Sequence, residues 1–256
     1  MRQADEAFVL RTQPLGDADL IVSFLARSHG CVRGVARSGR SSRKRFGGLL
    51  EPMTHVEATW SVKSGRDLHR IERLEERRSY AAMQADPELQ SVCAVMAEVG
   101  EAFGAEGSAD DREFRLFGAV LNALEAGGEP PLLLRYFEFW VLRLHGLLGE
   151  PEECASCGGS IERGRARALY PSDGFRCEKC EHGSDDSPTR LSRHEALWID
   201  RLQRTPPDRL PYSRGVARPG GRLERLLRGR LEGFSERRFK TYRHIRTPAA
   251  DPGDRA

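Results

Sequence analysis

No stretch of about 18 apolar residues, the minimum for a membrane-spanning helix, occurs in the 256 residues of this chain. Met1–Glu6 are polar, and no apolar segment leading to a small-residue cleavage site follows them. Both absences predict a cytoplasmic protein with no membrane role. The chain also lacks a Gly-x-x-x-x-Gly-Lys-Ser/Thr phosphate loop, a His-Glu-x-x-His motif, and any grouping of carboxylates with lysine suited to nucleotidyl transfer. Asp17 with Asp19, or Asp110 with Asp111, offer oxygen ligands for Mg²⁺. Their neighbours, however, read as a turn and a helix start, so the expectation is a protein without catalysis.

A further absence is local. Between Val32 and Glu51 there is no acidic residue, while Arg33, Arg37, Arg40, Arg43, Lys44 and Arg45 are spaced among Gly, Ser, Val and Ala. Such a segment favours a polyanion. The formal net charge of +3 hides a segregation of charge. Residues 1–80 carry 15 Lys and Arg against 10 Asp and Glu (+5), and residues 81–150 carry 4 against 12 (−8). Residues 151–217 balance at 11 against 11, and residues 218–256 carry 11 against 5 (+6). The acidic middle reads as a solvated outer face between basic ends.

What is present first is a set of short apolar runs punctuated by Gly, Pro, Asp and Ser: Ala7–Thr12, Leu20–Ala26, Cys31–Ala36, Met53–Ser61 and Leu68–Leu74. Within one of them Val56, Ala58 and Trp60 alternate with His55, Glu57 and Thr59, the period of a half-buried strand. Five short strands predict a small barrel of the OB type, whose faces and loops hold single-stranded nucleic acid. Residues 37–50 become a long loop between the third and fourth strands, where Gly39 with Ser38, Ser41 and Ser42 allows close approach of a strand. Phe46 either stacks on a base or, more simply, anchors the loop in the barrel.

From Pro87 the period becomes helical. Asp110 and Glu113 form a candidate capping box ahead of Phe114, Phe117, Val120, Leu121 and Leu124, and residues 132–148 are apolar nearly all round, as in a buried helix. Ser192 and Glu195 form a second candidate box, opening a helix that stops before Pro206-Pro207. A last helix near 221–231 sets Leu223, Leu226, Leu227 and Leu231 against Arg222, Arg225, Arg228 and Arg230. That arginine side is either a second nucleic-acid surface or a solvated face. The expected organisation is a barrel over 1–80, a helical domain over 81–150, a metal module over 151–187, C-terminal helices over 188–246 that pack on the helical domain, and a disordered tail over 247–256. The fold class is α+β.

Six cysteines are present. Cys154-Ala-Ser-Cys157, nineteen residues, then Cys177-Glu-Lys-Cys180 is a zinc spacing. A two-residue gap brings two thiolates of one turn to the same ion, Gly158-Gly159 lets the chain fold back, and the interval accommodates a hairpin. Four thiolates leave no open coordination position, which predicts one structural zinc ion and no catalytic metal. His182 is an alternative to Cys180 as ligand, or a surface histidine. Cys31 and Cys93, lying in apolar runs, are expected to be buried thiols.

Four segments then resemble a known family: Ala7-Phe-Val-Leu-Arg-Thr, Gly16-Asp-Ala-Asp-Leu-Ile-Val, Gly30-Cys-Val-Arg-Gly-Val-Ala-Arg, and above all Arg43-Lys-Arg-Phe-Gly-Gly-Leu-Leu-Glu-Pro52. They look like the N-terminal domain of the bacterial RecO recombination mediators, and the order of barrel, helical domain and four-cysteine module is similar to that family. The resemblance spans about residues 6–205 and is most specific in its first third. It implies a non-catalytic, nucleoid-associated DNA repair protein that binds and anneals single-stranded DNA. It also implies contacts with RecR and with the C-terminal tail of single-stranded-DNA-binding protein, and an indirect action on RecA loading. The alternative is a zinc-containing OB-fold accessory factor that binds RNA or DNA without annealing.

Overall fold

The computed structural model describes residues 1–41, 46–62, 68–80, 83, 85–165, 167–170, 174–181, 188–210 and 221–245. These residues form two compact units, one of Met1–Glu125 with Phe239–Ile245 and one within Ala126–Arg238. The expected tail over 247–256 lies outside the described residues.

The first unit is built on a closed barrel in the order β1-β2-β3-β5-β4, with β1 at Arg2–Leu15, β2 at Asp19–Ala26, β3 at Gly30–Ala36, β4 at His55–Ser61 and β5 at His69–Arg78. Neighbouring strands run antiparallel except β3 and β5, which pair in parallel. This is the five-stranded barrel that the punctuated apolar runs predict. β1 is much longer than its apolar run because it serves two partners: residues 2–8 pair with β4 and residues 7–15 with β2. Polar residues thus enter the strand through the ladder, without an apolar pattern to mark them. β4 begins at His55 and not at Met53, whose φ of 66° breaks extended backbone. The barrel interior is filled by Val9, Val22, Phe24, Val32, Val56, Trp60 and Ile71, and Phe46 enters the same cluster from the loop.

Two helices complete this unit. Asp86 caps α1 (Pro87–Phe103), accepting from the N–H groups of Glu88 and Leu89, with Pro87 in the first turn where its missing N–H costs nothing. Around α2 (Arg112–Glu125), Asp110 accepts from the Arg112 N–H, and the first i→i+4 bond runs from Arg115 N–H to the Asp111 carbonyl. The helix therefore starts one residue later than a box at Asp110 requires. Phe8 leaves the outer face of β1 to pack on Phe114 and Phe117 of α2, with ring centroids 4.8 and 6.0 Å away. The segment Phe239–Ile245 belongs here too: Glu98 of α1 accepts from the N–H groups of Lys240 and Thr241 and from the Thr241 hydroxyl.

In the second unit α3 spans Pro130–Leu144. It ends four residues before the apolar pattern does, because Gly146 takes a φ of 71° and the Leu147 N–H turns back to the Leu142 carbonyl. Leu148 is still fully buried, as loop and not as helix. α4 (Arg193–Arg204) carries the full reciprocal capping box between Ser192 and Glu195. α5 (Gly221–Ser235) buries Leu223, Leu226, Leu227 and Leu231, and both helices pack on α3. Inside α3, Arg135 and Glu138 are buried and joined at 2.7 Å, and Glu224 of α5 lies 3.6 Å from the same guanidinium. A small sheet, β7-β6-β8, is formed by β6 (Arg167–Tyr170), β7 (Gly174–Arg176) and β8 (Thr189–Leu191).

Candidate metal centre and nucleic-acid surface

The four cysteines come together in the second unit. One sulfur atom from each of Cys154, Cys157, Cys177 and Cys180 lies within 4.8 Å of all the others. A tetrahedral Zn–S₄ centre with bonds of about 2.3 Å has sulfur–sulfur edges of about 3.8 Å, so the cluster is closing on that geometry. Two chain reversals make it. In the first, Gly158 donates to the Cys154 carbonyl with a φ of 66°, and the Cys154 N–H donates to the Gly159 carbonyl at 2.9 Å. In the second, the Cys180 N–H donates to the Cys177 carbonyl at 2.9 Å. The intervening chain forms the β6–β7 hairpin, and the Ala155 N–H bonds the Phe175 carbonyl to hold the two reversals together.

Hydrogen bonding inside the cluster favours one thiolate: it lowers Cys154, while the side chains of Cys157 and Cys177 push Cys180 up to about 12. Burial opposes ionisation of Cys154, but the backbone N–H groups of Cys177, Cys157 and Ser156 outweigh it and bring the thiol down to about 6. The two cysteines outside the cluster are raised by burial alone or chiefly by it: Cys31 and Cys93 are pushed up to about 12, the state of inert core thiols. His182 lies outside the described residues. The donor set is thus four sulfurs and could hold a metal ion. The module is fastened to α4, since the buried carboxylate of Asp200 accepts from the Gly164 N–H at 2.7 Å and Arg204 reaches Glu152.

In the first unit, Arg33 lies on β3 and Arg37 and Arg40 in the turn that follows; all three are exposed. Arg43, Lys44 and Arg45 lie outside the described residues. The turn is rigidly tied. Asp19 accepts from the Ser38 N–H at 2.8 Å, Ser38 takes a φ of 55°, and the Arg40 N–H bonds the Ala18 carbonyl at 3.1 Å. Asp19 therefore caps a turn, which occupies one carboxylate oxygen that a Mg²⁺ reading would need. Phe46 is 1% exposed, which makes it an anchor and not a stacking platform.

Of the ten described arginines on residues 1–78, six are matched to carboxylates: Arg2 to Glu72 at 3.1 Å, Arg11 to Glu101 at 3.5 Å, Arg27 to Glu6 at 3.2 Å, Arg77 to Glu57 at 3.0 Å, Arg73 to Glu75, and Arg78 to Glu125. Arg33, Arg37, Arg40 and Arg70 have no such partner among the described residues. Among the described residues, the unmatched arginines of the barrel lie on β3, the turn after it and the start of β5. The C-terminal arginines are more divided in use. Arg228 pairs with Glu232 at 2.9 Å and Arg230 donates to the carbonyls of Leu147 and Tyr170, so both hold the fold together, whereas Arg222 and Arg225 are exposed.

A five-stranded OB-type barrel joined to a helical part with a four-thiol centre defines a class of protein, and comparison with known sequences narrows it. The family model for the recombination protein O N-terminal domain matches residues 1–80, and that for its C-terminal domain matches residues 84–243. The chain belongs to the recombination protein O family. Among its relatives, a DNA repair protein RecO of Koribacter versatilis is 35% identical over 162 residues, which cover 63% of this chain and 66% of that protein. Its namesake in Anaeromyxobacter sp. (strain K) is 34% identical over 175 residues, 68% and 69% of the two chains. That of Nocardioides sp. is 34% identical over 192 residues, 73% and 78%. No described helix is long and apolar enough to cross a membrane.

Proposed function

We propose that this protein is a non-catalytic recombination mediator in DNA repair. It binds and anneals single-stranded DNA and, together with RecR and single-stranded-DNA-binding protein, promotes RecA loading. The observation that carries this reading is the family match over both parts of the chain. The carboxylate-free arginines of the barrel supply a physical basis. Guanidinium groups hold phosphates by bidentate hydrogen bonds and stack on bases, and cations without an internal partner need no salt bridge broken before they bind. Arg33, Arg37 and Arg40, with Arg43, Lys44 and Arg45 of the same segment, form the DNA contact. Annealing then follows electrostatically, since neutralising two strands together lowers their mutual repulsion.

The metal is zinc. Thiolates are soft ligands that suit it, and a Cys₄ set fills all four tetrahedral positions, so the ion fixes the fold of the module and offers no site for substrate or water. Cys154, Cys157, Cys177 and Cys180 hold it.

The test is annealing of two complementary fluorescent oligonucleotides by the purified protein without ATP, bare and coated with single-stranded-DNA-binding protein. Acceleration in both conditions is expected. Tight binding without annealing would replace this reading with a passive nucleic-acid-binding factor.

A further inference from the structure

Arg70 lies 25 residues beyond the last cation of the basic segment in the sequence and is preceded by Asp67 and His69, so nothing local marks it. The barrel topology gives it a different neighbourhood. β5 pairs in parallel with β3, and Val35 stands opposite Arg70 in that ladder. Side chains alternate along a strand and paired residues share a face. Arg33, two residues before Val35, therefore projects from the same outer surface as Arg70, one step along the diagonal. Arg37 and Arg40 follow immediately where β3 ends. The four described arginines of the barrel without carboxylate partners among the described residues thus occupy one place, around the C-terminal end of β3.

Like charges brought side by side repel, and the other described arginines of this barrel are matched by carboxylates. The contrast is sharpest on β5 itself. Arg70 is exposed and has no carboxylate partner among the described residues, while three residues later Arg73, also exposed, is paired with Glu75. Asp19 caps the turn through the Ser38 N–H and Glu106 lies by His69, but neither pairs with these four arginines, so their guanidinium groups are left to suit a chain of phosphates. We propose that Arg70 is a phosphate-binding residue, extending the single-stranded nucleic-acid surface of β3 and its turn sideways onto β5. The bound strand then crosses the β3–β5 ladder and does not stay on the loop. This inference rests on the DNA-binding reading above.

The test is titration of a fluorescent oligothymidylate of about 20 nucleotides with full-length protein across a range of salt concentrations. Each phosphate neutralised on a single strand contributes roughly 0.7 to the slope of log K against log salt. Arg70→Ala and Arg70→Gln are each expected to flatten the slope by about 0.7, and thereby to weaken binding about fivefold at 0.1 M relative to 1 M salt. Arg73→Ala, already neutralised by Glu75, is expected to leave the slope unchanged. A slope in both Arg70 variants equal to wild type, or an Arg73→Ala effect as large as theirs, would overturn the proposal while leaving the surface at Arg33, Arg37 and Arg40 in place. Failure of the wild-type protein to bind the oligonucleotide would instead defeat the DNA-binding reading itself.

Discussion

The backbone N–H of Cys177 donates to Sγ of Cys154 at 3.4 Å, so the second cysteine pair stabilises a thiolate in the first. The two reversals are therefore coupled before any ion arrives. The purified protein is expected to contain one zinc ion per chain, and Cys154→Ser to lose it, as read by metal analysis and by release to a chromogenic chelator. Because ligand thiols must deprotonate, zinc affinity should fall as pH drops towards the value of about 6 at Cys154. Chelation should raise hydrogen exchange around the described cysteine segments while DNA affinity persists. Loss of DNA affinity with the barrel still protected would disprove that separation.

Arg43, Lys44 and Arg45 carry half of the cations of the basic segment. Replacing all three by Ala should flatten the salt dependence of single-stranded DNA binding by about 2, three phosphates at roughly 0.7 each. An unchanged slope would remove these residues from the DNA contact and leave it on the barrel strands alone.

The buried pair of Arg135 and Glu138 is a liability if broken. Glu138→Ala leaves a guanidinium in the core of the second unit and should cost about 3–5 kcal/mol. In a protein of this size that lowers the midpoint of thermal unfolding by roughly 10 °C. Arg135→Met together with Glu138→Leu removes both charges and should recover most of the loss. A double variant no more stable than Glu138→Ala would show that the pair is needed as a pair, with Glu224 as its third member.

His55 is stacked on Phe8, with ring centroids 4.7 Å apart, and burial lowers its pKa below the usual value. A histidine with a depressed folded-state pKa takes up fewer protons folded than unfolded. Its contribution is therefore complete above the ordinary histidine value and is lost as pH falls from there through the lowered one. His55→Phe should reduce the slope of stability against pH as pH falls below the ordinary histidine value of about 6.5, measured by urea unfolding. A variant with the wild-type slope would assign the acid sensitivity elsewhere.

One of the two expected capping boxes and the cysteine spacing were legible because each depends on residues close in sequence, whereas α2 starts one residue later than the box expected at Asp110 requires. The capping box of Ser192 and Glu195 forms as its spacing implies, and the Gly158 turn folds as a two-residue cysteine gap requires. The barrel strands were legible where one face is apolar, as at Val56, Ala58 and Trp60. The start of β1 was not, because Arg2–Glu6 is held in the sheet by backbone pairing with β4, a long-range effect without a side-chain pattern. The distinction between paired and unpaired arginines was likewise hidden: Arg11 is neutralised by Glu101, ninety residues away, and Arg230 serves carbonyls of Leu147 and Tyr170. In sequence all of these are simply arginines.

Glu98 of α1 and Thr241 hold one another within the same compact unit, although 143 positions separate them. This has a consequence for biosynthesis. At about 5–20 residues per second, the ribosome spends roughly 6–23 s adding residues 126–238 after the barrel and its two helices have been made. Throughout that interval the acceptor oxygens of Glu98 and the surface that receives Phe239 and Tyr242 wait open in a nascent chain. Completion of the first unit thereby waits for synthesis of residues 239–245, and a chain that stops before them yields a closed barrel whose α1 lacks the segment that binds Glu98.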